Sequence, residues 1–288
     1  MNNVYQYKPV RFYAAVLILT WTFWFSAAIV ARNTDNGTLS FILMALGMLV
    51  PSAIALYMVF SSKSLALKND LKRKLRGFIQ IKPLLFIKII AVAIGLWGVI
   101  IAISIVLSTF FGQSLEQFSF EDFSFSMGGM STLLLLVVVA FFEELGWRGY
   151  AEDSIAFYCC WWKESVLFGV LWSLWHFPLI FIPGTYQYNI LQLNPLYAVN
   201  FFVSILALSF ITTWVYVKNN RSIFTCAIFH FFVNLMQERI AITDTTKMVQ
   251  TFVILIAAGI LVLLNKDLYF GTGHIGRLLP EDIQVGET

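Results

Sequence analysis

The sequence predicts an all-α polytopic membrane protein, a bundle of about eight transmembrane helices. Three observations carry this. Of the 288 residues, 59% are hydrophobic and 17% aromatic, including 28 Phe and 9 Trp. Only 12% are charged, about half the share of a soluble domain, so too little polar surface remains to cover a water-facing globule. Apolar runs near the length a bilayer core requires also recur along the chain. The same composition excludes a soluble enzyme, a disordered chain and a disulfide scaffold. A net charge of +3, from 19 basic and 16 acidic residues, is too balanced for a nucleic-acid partner.

The first run, Phe12 to Ala31, follows Lys8 and Arg11. It is longer than a signal-peptide core and reads as a retained span. Further runs cover roughly 39–60, 89–111, 131–150, 165–182, 196–217, 222–240 and 248–265. The last is short and bounded by Lys247 and Lys266, and the 131–150 and 222–240 runs carry ionisable residues. No repeat, low-complexity tract or long hydrophilic stretch interrupts the pattern. We therefore expect one integral-membrane domain over 1–288, with a motif-bearing core at about 131–240 and a polar tail from about 266. Cys159, Cys160 and Cys226 form no framework and read as reduced, structural residues.

Lys and Arg alternate between the two sides of such a bundle. Sixteen fall at the N-terminus, 61–88, 148–164, 218–221 and the tail; three fall opposite, at Arg32, Arg239 and Lys247. This bias predicts a multi-pass cell-membrane protein with both termini cytoplasmic. The basic 61–88 connection reads as a topology determinant lying on an anionic leaflet of membrane lipid. Trp161 and Trp162 beside Lys163 read as an interfacial anchor, and His274 in the tail as incidental.

Ionisable groups inside a bilayer are costly and are functional candidates by default. Glu143, Glu144 and Arg148 lie in FFEELGWRGY, His176 in LWSLWHFPL, and His230 with Asn234 in AIFHFFVNL. Glu144 and Arg148 share a helix face and can pair, as can His230 and Asn234, while Glu143 points about 100° away from Glu144. Trp172 stands one turn before His176 and can wall a cavity. Pro178 permits an opening of the helix there. Counting from the basic end puts these groups about 10–16 Å deep, in one layer that predicts a shared pocket opening to the cytoplasm. Taken singly, each polar residue could be an interhelical hydrogen-bonding or snorkelling group; their common depth is what points to a site.

Two imidazoles, a carboxylate and an amide suit hydrolysis of a carbonyl bond by activated water. A shielded carboxylate is a competent general base, a neighbouring imidazole can pass the proton to a leaving amine, and N–H groups can hold the oxyanion. Alternatively, His, His and Glu could hold Zn²⁺, although the chain lacks HExxH. A proton-coupled transporter is the rival reading for Glu and His in helices, but it predicts repeated halves with broken helices, which this sequence lacks.

The three segments together, EE-x-x-x-R, aromatic-x-x-x-H and H-x-x-x-N in that order over about 131–240, resemble the CAAX protease and bacteriocin-processing family, which includes the CAAX prenyl endopeptidases. The resemblance implies an eight-helix intramembrane endopeptidase acting near the cytoplasmic leaflet on a membrane-associated substrate. In CAAX processing that substrate carries a prenylated Cys and loses its last three residues. It further implies that Glu143 activates water with help from His176, that His230 and Asn234 form the oxyanion hole, and that Glu144 and Arg148 support them. A non-cleaving immunity or scaffold protein of the same family is the alternative. Metal dependence stays open: the preferred reading has no cofactor, because three metal-bound side chains leave no obvious base, though Glu144 could serve if Zn²⁺ were bound.

Overall fold

In the computed structural model, residues 4–34, 36–78, 83–117, 119–120, 126–127 and 130–280 are described. Part of the 112–130 connection and the end of the tail lie outside them. Helices α1 (Pro9–Asn33) and α2 (Gly37–Phe60) form an antiparallel hairpin. Pro51 inside α2 cannot donate to the Gly47 carbonyl, and the Thr20 hydroxyl donates to that carbonyl instead, at 3.2 Å. Thr20 in turn accepts the Trp175 indole N–H at 3.0 Å, tying the hairpin to the site-bearing helices. The short α3 (Leu65–Leu75) starts on a Ser64 cap and is followed by α4 (Pro83–Ser108).

The next helix, α5 (Thr132–Gly146), does not stop at its end. It runs on through a π-helical turn, Trp147–Ala151, into α6 (Glu152–Ala156). Then come α7 (Trp161–Trp175), a 3₁₀ segment Phe177–Phe181, and a short α8 (Tyr186–Leu193) within the 183–195 connection. The remaining helices are α9 (Pro195–Lys218), α10 (Ile223–Arg239), α11 (Asp244–Leu264) and α12 (Lys266–Phe270). Asn194, Ser222 and Thr243 cap the starts of α9, α10 and α11 with side-chain oxygens. One of two tiny antiparallel pairings joins Ser119–Phe120 to Ile240–Ala241.

Among the described residues, six helices are long and apolar enough to cross a membrane: α1, α2, α4, α7 with its 3₁₀ extension, α9 and α11. The protein is thus an all-α, multi-pass membrane protein. The other two expected spans correspond to α5 and α10, of 15 and 17 residues. These two carry most of the polar candidates. They pack on each other and on α2 and α4, so neighbouring helices shelter the groups that lower their hydropathy.

Three surface expectations are corrected. Lys74, read as lying on the leaflet, is 1% exposed and ion-paired with Asp70 and Asp153, because α3 folds under the bundle. Trp161 is 4% exposed rather than interfacial, while Trp162 is exposed. His274 is not incidental: it stacks on Trp161 at 5.0 Å and bonds the Cys159 carbonyl at 3.1 Å, strapping the tail to the bundle.

Candidate active site

Each polar candidate owes its position to a local feature of its helix. At the end of α7 the helix tightens ahead of Pro178. The His176 N–H moves to the Ser173 carbonyl, at 3.1 Å, instead of the Trp172 carbonyl one turn back. The Trp172 carbonyl is then met by Nδ1 of the His176 ring at 2.8 Å. A carbonyl only accepts, so Nδ1 carries the proton and Nε2 is left with a free lone pair. Trp175, Phe201 and Trp172 surround this imidazole, with ring centroids 4.6, 5.6 and 6.1 Å away.

His230 on α10 is held differently. Its Nδ1 lies 2.9 Å from Oε1 of Glu144, a charge-assisted contact that orients the ring. The ring meets Trp172 edge to face at 6.1 Å, so one indole separates the two imidazoles. Glu144 is itself gripped by Arg148 through an ion pair at 2.9 Å and a hydrogen bond at 3.2 Å. Arg148 reaches Glu152 at 3.2 Å and lies 5.1 Å from the Phe168 ring. The series Glu144, Arg148, Glu152 follows i, i+4, i+8 spacing, a signal that could have named Glu152 from sequence.

Glu143, His176, His230 and Asn234 all line one cavity of about 460 Å³. Glu143 is 7% exposed, and the indole nitrogens of Trp147 and Trp172 approach its carboxyl without full hydrogen-bond geometry. Asn234, one turn past His230, has no protein hydrogen-bond partner among the described residues, so its amide is available to a ligand. Glu144 and Arg148 are not on the wall. They sit behind it, acting on the cavity through His230.

A second polar cluster, missed in the sequence, closes the basic end. The π-helical turn leaves the Arg148 carbonyl accepting both Lys74 Nζ and the Tyr216 hydroxyl at 3.0 Å. Asp153 accepts from Tyr216 and pairs with Arg221 at 2.5 Å, while Asp70 pairs with Arg221, Arg73 and Lys74 at 2.8, 2.9 and 3.1 Å. Asp70 and Lys74 are an i, i+4 pair on α3, but nothing in local spacing links them to positions 153, 216 and 221; only the fold does.

The cavity wall also includes Tyr186 on α8, Glu238 on α10 and Lys247 on α11, all toward the end opposite the Lys74–Asp153–Arg221 cluster. Helix α7 begins at Trp161, which carries His176 to its far end, and α5 runs on to Ala156, which puts Glu143 near the middle.

Among the described residues no three His, Cys, Asp or Glu side chains lie together as a metal site. No step below is routed through a metal.

Fold and cavity define a multi-pass membrane protein with an acid, two imidazoles and a carboxamide facing one chamber inside a helical bundle. Residues 126–236 match the sequence model of the type II CAAX prenyl endopeptidase Rce1-like family. The chain is also 40% identical over 271 residues to CAAX prenyl protease 2 of Methanococcus maripaludis, covering 94% of this chain and 98% of that protein. The chain belongs to this family and is a CAAX prenyl endopeptidase-like protease.

Proposed function

We propose that this protein is an intramembrane endopeptidase that removes the C-terminal tripeptide of prenylated CAAX proteins with a water activated by Glu143. The observation that carries the reading is the convergence of Glu143, His176, His230 and Asn234 on one cavity. Glu143 takes a proton from water as the oxygen attacks the scissile carbonyl. The lone pair on His176 Nε2 shares that proton and the leaving amine receives it, restoring both groups. The oxyanion is held by the Asn234 amide and by His230, which donates through Nε2 when its ring is doubly protonated above the Glu144 carboxylate. Glu144 and Arg148 are positioning residues that fix the ring.

Cleavage of a prenylated CAAX peptide by the protein in liposomes tests this directly. Glu143→Gln is expected to lower kcat by about 10²–10⁴-fold, the usual worth of a general base, with thermal stability unchanged. Wild-type turnover in that variant refutes the assigned base. A strong chelator should leave activity intact; loss on stripping, with restoration by Zn²⁺, overturns the metal-free route.

The Lys/Arg bias supports a topology with the basic end and both termini in the cytoplasm. Labelling single cysteines introduced as Lys63→Cys and Tyr188→Cys in intact cells tests this: an impermeant reagent should modify Tyr188→Cys alone, and modification of Lys63→Cys instead overturns the assignment.

A further inference from the structure

Among the described residues lining the cavity, Lys247 carries the one permanent positive charge. It stands in the first turn of α11, where the helix dipole disfavours a cation, so helix stability does not account for it. Its ammonium donates to Asp244 Oδ1 at a long 3.4 Å, lies 4.6 Å from the Tyr186 ring centroid and neighbours the Tyr186 hydroxyl. The side chain is 27% exposed, so donors remain for a ligand, in competition with Asp244 and with Glu238 on the same wall.

Its height above the site follows from helix geometry. Gln237 donates to Gln250 at 3.2 Å, which levels α10 against α11. From the midpoint of His230 and Asn234 to Gln237 is about 7.5 Å of helix rise, and from Gln250 back to Lys247 about 4.5 Å. The sum, about 12 Å toward the α10–α11 connection, compares with about 10–11 Å for three extended residues. Gln250, Thr251 and Ile254 continue the same α11 face inward along the wall.

We propose that Lys247 binds the terminal α-carboxylate of the substrate and so sets the cut three residues from its end. The proposal rests on the endopeptidase reading above. A carboxylate at this height places the scissile carbonyl level with His230 and Asn234, and Lys247 acts as a specificity residue that takes no part in the bond cleavage.

The test uses full-length protein in liposomes and prenylated peptides that end in a free acid or in an amide. For the wild type, the amide should raise KM about tenfold or more, as for a lost charge-assisted contact, with kcat much less affected. Lys247→Met should bring the acid to the level of the amide, and Lys247→Arg should restore most of the preference. A wild type that cleaves acid and amide alike, or a Lys247→Met variant that keeps the full preference, overturns the assignment while leaving the endopeptidase standing. No cleavage of either peptide by the wild type overturns both.

Discussion

Replacing Glu144 with Gln separates the group that does chemistry from the group that holds it. Glu144 is 1% exposed, accepts from His230 Nδ1 at 2.9 Å and pairs with Arg148 at 2.9 Å. Gln keeps the shape and one acceptor but removes the charge. A hydrogen bond to a charged group is worth about 1.5–3 kcal/mol, which predicts a fall in kcat of about 10–100-fold. KM should move little, since Glu144 does not line the cavity. Arg148 keeps Glu152 as partner, so the loss of stability should stay below the about 3–5 kcal/mol of a fully orphaned buried charge. Single-turnover and steady-state cleavage in liposomes, with a melting curve in detergent, read both quantities. A Glu144→Gln variant with wild-type kcat, or with the whole defect in KM, would refute the positioning role.

Gly146→Ala tests the closeness of α5 and α2. An added Cβ would lie 2.6 Å from Pro51 Cβ, 2.7 Å from the Pro51 carbonyl carbon and 2.8 Å from Ser52 N, mostly backbone that cannot swing aside. Overpacking of about 1–3 kcal/mol outweighs about 1 kcal/mol of helix propensity, so the melting temperature falls; Gly149→Ala, whose Cβ meets nothing nearer than 3.6 Å, should not lower it. At the basic end, burial alone would raise the Asp70 carboxyl, but Lys74, Arg221 and Arg73 hold it down, to about 2 from an ordinary 3.8. A depressed acid stabilises the fold above its unfolded pKa, by about 2 kcal/mol here, and that contribution is lost as pH falls from about 4 to 2. Asp70→Asn should be less stable at neutral pH and show a flatter acid limb in thermal melts; an unchanged limb rules the cluster out as its source.

What the sequence determined by itself was the class of molecule and the roster of polar outliers. Bilayer cost makes an intramembrane Glu or His conspicuous, so Glu143, Glu144, Arg148, His176, His230 and Asn234 stood out against apolar neighbours. The i, i+4 pairing of Glu144 with Arg148 was legible too, because helix geometry alone sets it. Only the tertiary structure decided that Glu144 grips His230 from behind the cavity wall, since that contact spans 86 positions. It also decided that Lys74 is buried and that Glu143, His176, His230 and Asn234 line one cavity. Both depend on where helices begin and which neighbours they pack against: the π-helical turn and the tightening at His176 change the register locally, and hydropathy, which averages over a span, carries no record of either.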